Sequence, residues 1–465
     1  MTGGDFLIIK VEYSKEEQSE IIFHIELEDE DKINPSPKFS LNENTCKFVI
    51  PDEVSFDEIH PDHLALVSIL ISHPFIGKRI VFPKAVSKEF SSKANSIITR
   101  YVVENIDEEL QPWTPSIDSR PVLAFSGGAD STAALALMPE NTAAVFLDRP
   151  LPTKPSWSIW KNFLGLMLRL KRGVSLYDKD APHIACEKLT EFGYEVVKME
   201  TNLEYLRKPV GFPVDVANSA PAILLANHMK FDAVAFGTIM ESAFGIGHEN
   251  FRNYPKSPHY KMWGTLFAAA GLPLMQVVSG VSEVGTSIIN RDSSFGHIAH
   301  SCMRGKWMDP CRNCWKCFRK LLLDSVVNKE KMTDKELDDL FKINEAKRFL
   351  SSFPIKHENV LTYSTSKYLE LFELDIENNS MMSILTKRVR GDVMEVEWME
   401  KYFPMMFDLI PEKYREDIKI KLEKYLQPMS KEEQEFVLKW NLEPMLNDEI
   451  YQKMNTNFSN RLKNH

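Results

Sequence analysis

An apolar run at 122–125 leads into Phe125-Ser126-Gly127-Gly128-Ala129-Asp130-Ser131-Thr132, and a helical stretch at 132–138 follows until Pro139 stops it. No other feature constrains the fold as tightly, because a strand that turns on two glycines into a helix sets up a strand–helix–strand repeat. Apolar runs at 142–147, 194–199, 233–236 and 274–278 continue that repeat, with helical stretches between them, among them 214–229 and 261–270. Strands that are apolar along their whole length are buried on both faces. The order therefore predicts an α/β unit with a central five-stranded parallel sheet. In such sheets ligands bind beyond the carboxyl ends of the strands.

The glycine turn has chemistry of its own. Gly127 and Gly128 carry no side chain, so a polyanion can approach the backbone while successive N–H groups and the positive end of the helix face it. Ser126 and Ser131 add hydroxyl donors. Asp130 is a poor phosphate ligand but suits Mg²⁺ held against phosphates. Ser126, Gly127, Gly128, Asp130, Ser131 and Thr132 are the expected phosphate-binding set. The turn is neither a G-x-x-x-x-G-K-[ST] loop nor a G-x-G-x-x-G fingerprint. A turn that merely caps a helix is the competing reading, and strand, S-G-G-x-D-S and helix together weigh against it.

Regions on either side differ in character, which divides the 465 residues into 1–115, 116–325 and 326–465. The first is a strand-rich accessory domain, with strands at 6–13, 21–27 and 46–50, a charged loop at 14–20 and helices at 63–71 and 87–105. The last is helical and charged, with apolar spacing of three and four at 334–350, 393–403, 412–425 and 430–440, and a polar end at 452–465 expected to fray. The net charge of −10 argues against a protein that coats nucleic acid. No 18-residue apolar window and no basic-then-apolar leader is present, so a cytoplasmic, membrane-free protein is expected.

Of six cysteines, Cys302, Cys311, Cys314 and Cys317 crowd together as C-x8-C-x2-C-x2-C. Four thiolates suit a tetrahedral Zn²⁺ that leaves no open position and so acts structurally. Redox chemistry at Cys314-x-x-Cys317 and an iron–sulfur cluster are the alternatives. Cys46 and Cys186 are expected to be buried apolar residues.

The octapeptide at the turn resembles the PP-loop ATP pyrophosphatase superfamily. Ser301-Cys302 with Cys311-Arg312-Asn313-Cys314-Trp315-Lys316-Cys317 and Arg319 is similar to the zinc element of the 7-cyano-7-deazaguanine synthase family. Gly237-Thr238, Glu241, Tyr254-Pro255, Pro273-Leu274 and the stretch 281–285 extend the likeness, which covers about 120–320. The resemblance implies a sheet of the HUP/PP-loop type and cleavage of ATP to AMP and pyrophosphate through a substrate adenylate. It implies adenine contacts at Phe146 and Leu147 and a nucleotide border at Gly237 and Thr238. In that family a deazapurine carboxylate becomes an amide and then a nitrile at the expense of ATP and ammonia. Departures are clear: Asp148-Arg149-Pro150-Leu151-Pro152 replaces a family motif, the lysine usual before Glu283 is missing, and the flanking domains have no counterpart. They point to a changed or larger acid or amine.

The segment 241–261 follows the fourth strand and is dense in aromatic, histidine and basic residues. Arg252, Lys256 and Lys261 are candidates to neutralise a carboxylate or phosphate, and Phe251 or Tyr254 to stack on a base; an ordinary surface loop is the alternative. Glu241 and Glu283 are candidates for proton transfer, which makes Asp130, Glu241 and Arg252 the expected catalytic set. His297 and His300 are expected to pack or touch substrate. The function expected is an ATP-dependent ligase or amidase joining a small carboxylate to ammonia or an amine. Three alternatives stay open: sulfur insertion into tRNA, conjugation of a small acid to a protein partner, and a nucleotide-binding module without catalysis.

Overall fold

The computed structural model describes residues 7–14, 19–28, 31, 38–150 and 178–465. The expectations for Phe6, for the loop at 15–18 and for Leu151-Pro152 lie outside them.

Strands β1 (Leu7–Ser14) and β2 (Glu20–Glu26) pair antiparallel, and β4 (Thr45–Val49) continues on β2. The two-residue β3 (Ser40–Leu41) pairs elsewhere, with β10 (Arg207–Lys208). On the other side of β1 lie β5 (Arg79–Ser87) and β6 (Val102–Asp107), both parallel, giving the order β4-β2-β1-β5-β6. Only part of the expected 87–105 helix forms: the helix Lys88–Ile97 ends and the chain becomes the edge strand β6. That strand is mostly exposed, so it leaves no apolar run to read.

The second sheet contains β7 (Arg120–Phe125), β8 (Ala143–Asp148), β9 (Val196–Glu200), β11 (Phe231–Phe236) and β12 (Leu274–Gln276) in the order β12-β11-β7-β8-β9, every pair parallel. All five expected runs are strands. The chain steps from β7 to β8 to β9 on one side and then crosses to β11 and β12 on the other. The order reverses between β7 and β11, and a crevice opens there beyond the strand ends.

Side-chain alternation along β7 assigns the two faces. Val122 and Ala124 pack into the core shared with the first sheet, which includes Phe23, Phe48 and Leu70. Leu123 and Phe125 point the other way, into a core with Ile289, Tyr402, Met406 and Ile418. The first sheet therefore covers one face and C-terminal elements help cover the other. Lys413 and Tyr414 both reach Asp232 at the start of β11, fixing the second contact.

The C-terminal region is helical with some changes of boundary. The 334–350 stretch is two helices, Asp334–Lys342 and Asn344–Leu350, broken at an extended Ile343. Only Glu397–Glu400 of 393–403 coils, as a short 3₁₀ turn. Within 214–229 the α-helix is limited to Ala220–Leu225. The polar end lies in the helix Glu449–Asn464, which buries Tyr451, Phe458 and Leu462. Among the described residues no helix is long and apolar enough to cross a membrane.

Candidate functional site

At the end of β7 the chain enters the turn with Gly127 at φ +72°, a left-handed conformation that glycine adopts freely. The helix Ala129–Leu137 starts at once, with Gly128 as N-cap and no side-chain cap, so its first N–H groups stay free for a ligand. Ser126 and Ser131 face each other, Oγ to Oγ 3.0 Å, and the Gly128 N–H donates to Ser126 Oγ at 3.3 Å. Thr132 is fully buried and its hydroxyl has no partner, so it faces the core beneath the turn. Gly237, after β11, lies against this turn: a Cβ there would sit 2.7 Å from the Asp130 carbonyl carbon and the Ser131 nitrogen.

A cavity of about 460 Å³ opens at this crevice, bounded by Asp130, Gly237, Thr238, Gln276, Glu283 and Arg319. Arg252, Tyr254, Lys316 and His357 also reach it. Asp130 accepts from the Thr286 hydroxyl at 3.2 Å and takes part in no ion pair among the described residues. Glu283 begins the helix Glu283–Asp292, capped by Ser282. Its Oε2 accepts from Arg319 Nε at 2.9 Å and its Oε1 lies 3.4 Å from Lys320 Nζ. Burial alone would raise the Glu283 carboxyl, but the charges of Arg319 and Lys320 outweigh it and hold it well below the usual range. His357 is pushed down to about 3, by burial first and by Arg319 next, so it is neutral. Gln276 is buried, and its Oε1 has no hydrogen-bond partner among the described residues.

The expected residues divide. Asp130, Gly237, Thr238 and Arg252 meet at the cavity with Glu283. Glu241 does not line it: the residue is fully buried, accepts from the Glu283 N–H at 3.1 Å and from Asn359 Nδ2 at 2.8 Å, and so ties helices together. Burial, then the charge of Glu283, pushes its carboxyl up to about 7. Arg252 donates through Nε to the Ala243 carbonyl and through Nη2 to that of Ser242, closing the short helix Met240–Phe244. Phe251 stacks on Phe244, and Tyr254 is buried beside it, which are packing roles. Lys256 and Lys261 are exposed and stand outside this cavity. Phe146 and Leu147 lie at the end of β8, with His183 against the Phe146 ring and its Nε2 3.0 Å from Asp148.

Cys302, Cys311, Cys314 and Cys317 converge, their sulfurs all within 4.8 Å of one another, and can hold a metal ion. Cys311 Sγ and Cys317 Sγ are 3.7 Å apart, against about 3.8 Å for the edge of a tetrahedron with Zn–S bonds of about 2.3 Å. The donor set therefore fits zinc. Cys314 caps the helix Trp315–Val327 by accepting from the Cys317 N–H. Cys46 and Cys186 are free and buried, as expected. His300 donates its backbone N–H to the Gly127 carbonyl at 2.7 Å, joining the cysteine segment to the turn, whereas His297 borders a neighbouring cavity.

Gln276, Lys316, Asn359 and His357 escaped the sequence reading as site residues. Gln276 ends the last strand, a position where polar residues deserve suspicion; the others have no local signal. In comparisons with known proteins, residues 262–441 match a family of unknown function, DUF6395. That stretch includes Gln276, Glu283 and the cysteines but not the glycine turn. No curated protein and no solved structure matches the chain.

Proposed function

We propose that the protein is an ATP-dependent ligase or amidase of the PP-loop type. The observation that carries this reading is the uncapped glycine turn at the strand-order reversal, with the Asp130 carboxylate beside a cavity that Lys316 and Arg252 also border. The N–H groups of the turn and the hydroxyls of Ser126 and Ser131 bind the β- and γ-phosphates, and Asp130 has an oxygen free for Mg²⁺. A substrate carboxylate attacks the α-phosphorus in line. The bond from that phosphorus to the bridging oxygen breaks, and pyrophosphate leaves toward the turn. An amine or ammonia then attacks the acyl carbon, AMP departs, and the amine loses a proton. Lys316 offsets the charge that builds up, while Glu241 positions the Glu283 backbone.

Adenine would lie by Phe146 and Leu147, with Gly237 and Thr238 bordering the ribose side. Zinc at the four thiolates would supply a closed structural shell, consistent with a reducing, cytoplasmic setting. The chemistry implied by the resemblance makes the acid a deazapurine-like carboxylate. A protein acceptor is the second reading, favoured by the helical surface added after 326. The test is pyrophosphate release from Mg²⁺-ATP across a panel of carboxylic acids and amines. A substrate-dependent release that Asp130→Asn abolishes, in a protein that stays folded, is expected. ATP turnover by that variant at the wild-type rate would refute the role of the turn.

A further inference from the structure

Lys316 stands between Cys314 and Cys317, at the start of the helix Trp315–Val327. It is half-buried, and among the described residues it forms no hydrogen bond and no ion pair. Its neighbours Arg319 and Lys320 are both committed to Glu283. Lys316 borders the 460 Å³ cavity and also a second one of about 550 Å³ on the cysteine side. Both cavities reach the first residues after the turn, one at Asp130 and the other at Ala129. The cysteine segment is moreover fastened to that turn. His300 N–H, two residues before Cys302, donates to the Gly127 carbonyl, and from the separate helix Glu283–Asp292 Asn290 Nδ2 donates to the Ala129 carbonyl at 2.8 Å. A cationic side chain that has no partner among the described residues and borders a cavity is open to an anion that enters it.

We propose that Lys316 binds the polyphosphate held by the Gly127-Gly128 turn, and that metal at the four thiolates fixes Lys316 there. The proposal rests on the reading of the turn as a phosphate site. The cysteines on either side of Lys316 are both in the metal-holding set, so ligation restrains the backbone from which it projects. Without that restraint the helix start is held by the Cys317 N–H to Cys314 Sγ contact, 3.4 Å long, by the Phe318 N–H to the Cys314 carbonyl at 3.1 Å and by the Trp315 N–H to Glu345 Oε1 at 3.4 Å.

Isothermal titration of the full chain with Mg²⁺-pyrophosphate tests this. Lys316→Ala should weaken binding about tenfold to a hundredfold, the scale of one charge-assisted contact. Lys316→Arg should retain most of the affinity. Removing the metal with a chelator should weaken the wild type by a similar factor and the Lys316→Ala variant little further, since both changes act on one contact. Lys316→Ala that binds as the wild type does would overturn the proposal alone, with the phosphate turn untouched. Chelation that weakens the variant as much as the wild type would overturn the link to the metal. A wild type with no affinity for Mg²⁺-pyrophosphate would overturn the reading of the turn together with this one.

Discussion

Glu241 illustrates how one buried carboxyl can be tested by pH. Its carboxyl stands near 7 instead of its ordinary 4.5, chiefly because of burial. The folded chain therefore keeps a proton that the unfolded chain releases, and stability from this group is lost as pH rises from about 4.5 to about 7. The full effect is about 3 kcal/mol. Glu241→Gln preserves an acceptor for the Glu283 N–H and Asn359 Nδ2 but cannot ionise. The Tm of the variant relative to wild type should rise between pH 5 and pH 8; a difference that ignores pH would show that Glu241 does not titrate there. At the same scale, Lys256→Ala should leave use of the acid unchanged, because Lys256 is exposed away from the cavity. Arg252→Ala should raise the KM for the acid about tenfold or more, since it removes two hydrogen bonds that shape the wall. Equal effects from both in steady-state kinetics would contradict this division. Residue types at 241–261 were legible in the sequence, but which of them face the cavity was not. Arg252 and Lys256 look alike until the Ala243 and Ser242 carbonyls claim one of them.

Elements carry the clearest link from sequence to structure. The parallel strands were readable because burial on both faces makes them continuously apolar, as in 233–236, and the turn was readable because Gly127 takes a left-handed conformation that glycine adopts freely. β6 escaped because an exposed edge strand needs no apolar residues, and 393–403 misled because its apolar spacing serves a 3₁₀ turn and irregular chain. His357 enters the site from a loop 227 positions after Asp130, a proximity that only tertiary packing creates. That the four cysteines converge was legible from their spacing, and which metal they hold is tested by metal content. Elemental analysis should find about one zinc per chain. Cys314→Ser, which removes one of the four metal-binding thiols but leaves an oxygen able to cap the helix Trp315–Val327, should lower Tm and solubility. Iron–sulfur absorption in the purified protein would discard zinc.

Over the whole molecule, the site depends on contacts far from it, and a buried ion pair shows how to measure that dependence. Arg388, 1% exposed, donates through Nη1 to Glu358 Oε1 at 2.9 Å and through Nε to Asn455 Oδ1 at 2.9 Å, while the Tyr451 hydroxyl donates to the same glutamate. Glu358 lies between His357, which reaches the cavity, and Asn359, which holds Glu241. The last helix, Glu449–Asn464, is thus tied through Glu358 to the wall of the candidate active site. Arg388→Ala would leave the Glu358 charge buried and unpaired, at a cost of about 3–5 kcal/mol. Arg388→Met with Glu358→Gln removes both charges while filling the space, and should recover a large part of that loss. Thermal unfolding should therefore rank wild type above the double variant and the double variant above Arg388→Ala. Because the helix carrying Asn359 loses its anchor, Arg388→Ala should also reduce pyrophosphate release at temperatures well below its Tm. A single variant as stable as wild type, or a double variant no better than the single, would mean that the last helix is fastened by its apolar residues Phe458 and Leu462 alone, and that the ion pair does not connect it to the site.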